Sequence, residues 1–339
     1  MKTYYRPIIR SGFVRPEDAV SFGTTRFWVT EVEVLSRTSA PRLVPFSSIP
    51  HDEQARILKP RAKICGLNFD HPIIMGILNV TPDSFSDGGK FIGVDTAIAH
   101  AKSLVEGGSD LIDIGGESTR PGAVEVEVAR EIDRTAPVIK ALAPQINVPI
   151  SIDTRKTPVA QKAVQAGASI LNDISGLEFD PTMAEFAASN GHPICIMHSQ
   201  GTPETMQDNP TYDDAVLDVY DFLEDRIQRL EGMGLARDQI IADPGIGFGK
   251  TLKHNLALLN RISLFHSLGV PILLGVSRKG MIRTIGEAEH AEDRVFGSIS
   301  VALAARAQGV QIFRVHDVWQ TKQAFKLWNA VEVGEDYVA

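Results

Sequence analysis

Ile73-Ile74-Met75-Gly76-Ile77-Leu78-Asn79-Val80 opens a plan that the chain then repeats: a short apolar run, a polar residue at its end, and a helical segment closed by glycine. The later runs are residues 111–115, 149–153, 170–174, 193–198, 240–243, 271–277 and 311–316. Each is short and rich in Ile, Val and Leu, without the alternation of a half-exposed strand, as expected of parallel strands covered on both faces. The segments between them carry helical spacing. Val295, Ile299, Ala302 and Leu303 share one face, as do Ala324, Leu327, Trp328 and Val331. Strand-helix units of this kind, wound right-handed, predict an α/β protein of the (β/α)8 or TIM barrel type. An open doubly wound sheet is the alternative, but it would normally have fewer strands and a Gly-rich first turn of a kind absent here.

Working outward, Pro137 lies inside the helical stretch 132–143 and should kink or break it. Residues 1–60 stand outside the repeat and form an N-terminal extension, leaving 61–335 as the barrel. Within the extension, residues 27–34 alternate like a strand and 51–58 read as a short helix. The extension forms a small subdomain or packs over the barrel floor together with residues 63–69.

Of the 339 residues 43% are hydrophobic, enough for a full core, and the net charge is −8. That balance excludes nucleic acid as a main partner, because a phosphate backbone requires a basic surface. Cys65 and Cys195 have neither zinc-site spacing nor a neighbouring His/Cys cluster. No apolar run reaches the roughly 20 residues of a membrane span, and no signal peptide is visible, so the expected location is cytoplasmic and no membrane partner is expected.

Chemistry in such barrels sits where the strands end, since the βα loops converge there. Those ends are Asn79, Asp113 with Glu117, Asp153, Asn172, His198, Asp243, Ser277 with Lys279, and Arg314 with His316. A core-only barrel would not bury so many polar groups at one mouth. Asp153, Asn172 and Asp243 are acceptors for an N–H-rich edge, whereas Arg120, Lys279, Arg314 and His316 suit an anion. The expected ligand therefore has a polar heterocycle at one end and phosphate at the other, with carboxylates and cations on opposite sides. The loop Asp243-Pro244-Gly245-Ile246-Gly247-Phe248-Gly249-Lys250-Thr251 ends like a phosphate-binding P-loop but has Pro244 where that motif needs Gly. Its glycines instead let backbone pass close to a flat ligand.

Asn79-Val80-Thr81-Pro82-Asp83-Ser84-Phe85-Ser86-Asp87-Gly88-Gly89 and Gly115-Gly116-Glu117-Ser118-Thr119-Arg120-Pro121-Gly122 resemble the first two loop signatures of the dihydropteroate synthase family. Ser151-Ile152-Asp153-Thr154, Leu171-Asn172-Asp173, Asp243-Pro244-Gly245, Ser277-Arg278-Lys279 and Arg314-Val315-His316-Asp317 follow in the family's order, so the resemblance spans about residues 73–332. It implies a transferase that joins 6-hydroxymethyl-7,8-dihydropterin diphosphate to 4-aminobenzoate in folate synthesis, as a homodimer. It further implies pterin contacts from Asp153, Asn172, Ile174, Met197, Asp243 and Lys279, and diphosphate contacts from Asn79, Thr119, Arg120, Arg314 and His316. The 4-aminobenzoate site would be shaped by Ser84, Phe85, Thr119, Arg120, Pro121, Phe248 and Ser277. Mg²⁺ would bind at Asn79, and Lys279, Arg314 and Asp153 would carry catalysis. The readings this must displace are a methyltetrahydrofolate-binding module of a corrinoid methyltransferase, a non-catalytic pterin-binding paralogue, and a Schiff-base aldolase using Lys279. The Ser-Arg-Lys and Arg-x-His motifs and the two loops argue against the first, which handles no diphosphate.

Overall fold

The computed structural model describes residues 2–12, 14–23, 26–81, 90–118, 122–202 and 204–337, with only the backbone at 90–92 and 336. Five short strands come first: β1 (Tyr4–Pro7), β2 (Val20–Ser21), β3 (Trp28–Val29), β4 (Glu31–Leu35) and β5 (Arg42–Pro45), followed by α1 (His51–Leu58). The barrel strands are β6 (Ile73–Asn79), β7 (Leu111–Gly115), β8 (Ile150–Asp153), β9 (Ile170–Asp173), β10 (Ile194–Met197), β11 (Ile240–Asp243), β12 (Leu273–Leu274) and β13 (Ile312–Val315). Between and after them run α2 (Lys90–Glu106), α3 (Val128–Leu142), α4 (Thr157–Ala166), α5 (Thr182–Asn190), α6 (Ala215–Gly232), α7 (Leu252–Asn260), α8 (Gly280–Gly286), α9 (Val295–Arg306) and α10 (Val318–Val333).

The barrel strands form one 8-stranded parallel sheet in the order β11-β10-β9-β8-β7-β6-β13-β12. A parallel bridge between Ala242 and Ile272 brings its two ends together and closes the ring. The expected barrel is therefore present. Its seventh strand is much shorter than the apolar run 271–277. Pro271 has no N–H to donate and Gly275 no side chain to pack, so the ladder is confined to the residues between them.

Period-two alternation fixes what fills the interior. Ile73, Met75, Leu111, Ile170, Cys195, Ile241, Leu273 and Ile312 form an apolar floor together with Ile64, Leu67 and Phe69 of the preceding loop, which plugs the strands' N-terminal end. Cys195 is thus a buried core thiol. Two positions further along, Leu111, Ile170, Ile241 and Ile312 are followed by the polar Asp113, Asn172, Asp243 and Arg314, whereas Met75 and Cys195 are followed by Ile77 and Met197.

Helix α3 runs unbroken through Pro137, contrary to expectation. Pro137 and Asp133 lie on the exposed side, where water can take the place of the one backbone bond that proline removes. The alternating stretch 27–34 also differs, dividing at Thr30 into two strands. Trp28 pairs with Ser21 and Arg10, while β4 lies antiparallel between β1 and β5.

The extension has an apolar nucleus of its own: Phe22, Phe27, Val29, Val32, Phe46, Ile49 and Ile57, against which Trp328 of α10 packs. Ion pairs fasten it to the barrel. Arg37 reaches Asp218 and Asp221 of α6 at 2.6 Å each, Lys2 joins Asp221 and Glu224, and Glu33 is shared by Arg6 and Arg261. Arg37 is substantially exposed, so its share is small and salt-sensitive. Arg37→Ala should lower stability by about 0.5–1 kcal/mol at low salt and by nothing measurable in 1 M NaCl. Calorimetric scans at the two salt concentrations check this.

Candidate active site

The polar residues above the floor converge in the barrel lumen. Arg314, from β13, stands between two carboxylates: its Nε donates to Asp113 Oδ2 at 2.6 Å and its Nη2 to Asp153 Oδ2 at 2.7 Å. Asn172 Nδ2 donates to the same Asp113 oxygen at 3.2 Å. These bonds join β7, β8, β9 and β13 across the barrel. The expected separation of carboxylates from cations is therefore corrected, since Arg314 is interleaved with the acids. Three acids and two bases, Asp113, Asp153 and Asp243 with Arg314 and Lys279, cannot all be neutralised at separate places in one lumen, and sharing a cation lowers the desolvation penalty.

Burial pushes Asp153 up to about 7 despite the neighbouring Arg314 charge, with Asp113 adding to the rise. Burial likewise raises Asp243 to about 6, against the opposing pull of the Gly245 N–H and Lys279. Lys279 is lowered to about 8, first by desolvation. For Arg314 burial opposes the charge, but Asp113 and Asp153 outweigh it and hold the guanidinium protonated.

Asp243 is aimed by its own loop. Gly245 N–H donates to Asp243 Oδ1 at 2.7 Å, and Gly245 adopts φ +69°. A Cβ at that position would lie 1.9 Å from the His198 carbonyl oxygen, so only glycine lets the loop cross β10 so closely. Asp243 Oδ2 faces Gly275, where an added Cβ would stand 3.8 Å away. The short seventh strand thus leaves room beside that carboxylate for a flat ligand. Met197, the ladder partner of Asp243, and Ile174, just after β9, are both buried.

Lys279 follows β12 and places its Nζ 3.9 Å from the centroid of Phe248. Ser277 Oγ accepts from the His316 backbone N–H at 3.1 Å and lies 3.0 Å from His316 Nδ1. Arg278, in a left-handed conformation at φ 57°, pairs with Asp317 at 2.5 Å, tying the turn after β12 to the end of β13. Asn79 pairs with Gly115 at the rim of β6 and is half-buried. The structure thus brings Asn79, Asp153, Asn172, Ile174, Met197, Asp243, Phe248, Ser277, Lys279, Arg314 and His316 to one end of one barrel. Ser84, Phe85, Thr119, Arg120 and Pro121 lie outside the described residues.

Two strand-end residues do not face the lumen. His198 is turned outward, with its Nδ1 2.8 Å from the buried Lys250 Nζ and its ring edge-on to Phe222. Glu117 points away into a buried cluster with Arg155, Lys156 and, through Lys156, Glu131. Residues without an assigned role at the sequence level also matter. Asp113 is the second anchor of Arg314 and keeps a buried Oδ1 without a hydrogen bond, and buried Ser151 Oγ is also unpartnered. Both sit at inward positions within strands; Asp113 is a strand-end residue to which the sequence reading gives no role, and Ser151 is the one that attention to strand ends passes over.

Asp243 predicts opposite pH trends in binding and stability. Its folded pKa lies above that of an ordinary carboxylate, so the folded state holds the proton more tightly than the unfolded state between about pH 4 and 6. The stability linked to that proton is fully present below the unfolded value and is lost as pH rises through about 6. A ligand held by the ionised carboxylate should bind more tightly over the same rise. Melting temperatures of the free protein and its affinity for a heterocyclic ligand, measured from pH 5 to 8, check both trends.

The sequence model of the pterin binding enzyme family matches residues 75–316. Dihydropteroate synthase of Escherichia coli (strain K12) is 45% identical over 273 residues, covering 80% of this chain and 96% of that one. The structure of Xanthomonas albilineans dihydropteroate synthase with 4-aminobenzoic acid is 44% identical, with a TM-score of 0.75 over 80% of this chain and 97% of that chain. The same organism's enzyme in complex with 7,8-dihydropteroate gives 41% identity and a TM-score of 0.72, over 79% and 96%.

Proposed function

The chain belongs to the pterin-binding enzymes, and from that premise we infer that it catalyses the dihydropteroate synthase reaction of folate synthesis. It joins 6-hydroxymethyl-7,8-dihydropterin diphosphate to 4-aminobenzoate, and the products are 7,8-dihydropteroate and diphosphate. The observation that carries this reading is the convergence of Asp153, Asn172, Asp243, Lys279 and Arg314 in one lumen. Residues 61–335 are the catalytic unit and residues 1–60 an extension of it.

Asp243 Oδ2, in the space beside Gly275, accepts the adjacent N–H groups of the pterin's aminopyrimidinone edge. Charge-assisted bonds of this kind contribute about 1.5–3 kcal/mol each. Asn172 and Asp153 complete the polar edge, Met197 and Ile174 cover the ring face, and Lys279 reaches the ring from above. Arg314, His316, Asn79, Thr119 and Arg120 hold the diphosphate. Ser84, Phe85, Thr119, Arg120, Pro121, Phe248 and Ser277 shape the 4-aminobenzoate site.

The reaction is an SN1-like displacement. The bond from the pterin methylene carbon to the diphosphate oxygen breaks, and its electron pair leaves with diphosphate. The cation is delocalised into the pterin ring, whose charge the lumen carboxylates oppose. The neutral aryl amine then forms the new C–N bond and releases one proton. An amine already neutral at pH 7 needs no strong base, so catalysis is mainly electrostatic. The loops 79–89 and 115–122 exclude water from the cation.

Mg²⁺ would neutralise diphosphate charge and so improve the leaving group. Among the described residues there is no cluster of three or more His, Cys, Asp or Glu groups suited to a metal. The carboxamide of Asn79 at the rim fits an ion that keeps several waters and takes its other ligands from phosphate. A homodimer fits the large apolar side chains that α9 and α10 leave exposed, Phe296, Trp319, Leu327 and Val331. No helix among the described residues is long and apolar enough to cross a membrane, and the enzyme acts in the cytoplasm.

The test is diphosphate release that requires both 4-aminobenzoate and the pterin diphosphate. Methyl transfer from methyltetrahydrofolate to a corrinoid without diphosphate chemistry, or pterin binding without turnover, would overturn the reading. So would covalent trapping of a carbonyl substrate on Lys279 by borohydride.

A further inference from the structure

At the barrel's opposite end, where the extension meets the floor, a groove is lined by Phe22, Lys59, Arg61, Asp70, Arg306 and Gln311. Arg306, at the end of α9, is 7% exposed. Its guanidinium lies 4.8 Å from the Phe27 ring and 5.8 Å from the Trp328 ring, and its buried Nε has no hydrogen-bond partner. Aromatic faces offset part of the cost of a buried cation but accept none of its N–H groups in the way an oxygen does.

The groove's other polar groups are mostly donors as well. Gln311 spends its amide oxygen on the Ile272 N–H at 2.9 Å, which leaves its NH₂ as the remaining group. Lys59 is exposed at the groove's edge. Arg61 is directed at carbonyls, reaching Arg56, Lys59 and His266 oxygens at 3.2, 3.1 and 2.8 Å, so no carboxylate neutralises it there. Burial lowers both Arg61 and Arg306 to about 10, which leaves them cationic at neutral pH. Asp70 is the acidic member of the lining, exposed and bonded by Asn68. Apart from Asp70 at its exposed edge, this lining of donors offers the Arg306 guanidinium no acceptor carrying negative charge.

We propose that this groove binds a small phosphate-type oxyanion, held by Arg306, Lys59 and the Gln311 amide at the seam between the extension and the barrel. The anion supplies the acceptors that Arg306 lacks and ties residues 1–60 to the floor. The site is independent of the catalytic lumen, which lies at the other end of the strands.

The test is calorimetric titration of the full chain with inorganic phosphate, exchanged against chloride at constant ionic strength, with adenosine monophosphate as a second probe. Arg306→Met should weaken one phosphate-binding step at least tenfold, and Lys59→Ala severalfold. Phosphate should also raise the melting temperature of the unsubstituted chain more than that of either variant. Equal binding of the two probes identifies free phosphate chemistry, and tighter binding of the nucleotide identifies a phosphomonoester. Lys59 is exposed, so its variant stays informative if Arg306→Met folds poorly. Phosphate binding left unchanged in Lys59→Ala and in folded Arg306→Met overturns the proposal. So does a melting shift that chloride reproduces.

Discussion

Arg314→Met is expected to lower kcat by roughly 10²–10³, the usual effect of removing one preorganised charge-stabilising donor, and to weaken the fold at the same time. The two effects have separate causes. Under the proposed role, turnover falls because the guanidinium no longer holds the departing diphosphate. Stability falls because Asp113 and Asp153, bonded to Arg314 at 2.6 and 2.7 Å, are left as buried carboxylates without their cation. Removing one partner of such a group typically costs about 3–5 kcal/mol. The double variant Asp113→Asn/Arg314→Met tells them apart: neutralising Asp113 should return much of the stability and none of the turnover. Urea unfolding and diphosphate release, measured on both variants, check the prediction. Full kcat in Arg314→Met would remove the leaving-group role.

Asp243→Asn should raise KM for the pterin diphosphate by about 10² or more, the product of two charge-assisted bonds weakened at roughly tenfold per 1.4 kcal/mol. The substitution is nearly isosteric. Asparagine can still accept the Gly245 N–H through its oxygen, so the glycine loop stays in place. Its NH₂ then occupies the position of Oδ2 beside Gly275, setting donor against donor at the pterin edge. The pH dependence of KM near 6 should vanish along with the titrating carboxyl. Activity at saturating pterin diphosphate should fall less than KM rises, because the proposed role of Asp243 is to grip the ring and not the leaving group. A variant that keeps both the original KM and its pH dependence would show that another carboxylate reads the pterin.

These two residues illustrate how the lumen is built. Arg314 and Asp243 come from different strands, yet Asp243 helps to hold Arg314 protonated and Arg314 opposes the rise of the Asp243 carboxyl. Charge is distributed through the site, and substitutions in it should not be additive.

Much of this was legible in the amino-acid order alone. Parallel strands buried on both faces must be short unbroken apolar runs, and β7 and β11 begin and end where those runs do. Helix α1 likewise matches residues 51–58. Since strand ends in a barrel face one mouth, the identities of Asp153, Asn172, Asp243 and Arg314 followed from local position. What a linear reading did not supply was which of these groups touch. Arg314 lies 161 and 201 residues from its two carboxylates, and only closure of the ring makes them neighbours. For the same reason His198 and Glu117, each at a rim, turn outward toward Lys250 and toward Arg155 and Lys156. Local sequence encodes periodicity and hence the elements. The pairing of charges depends on three-dimensional distance and shared desolvation, which exist only once the barrel has closed.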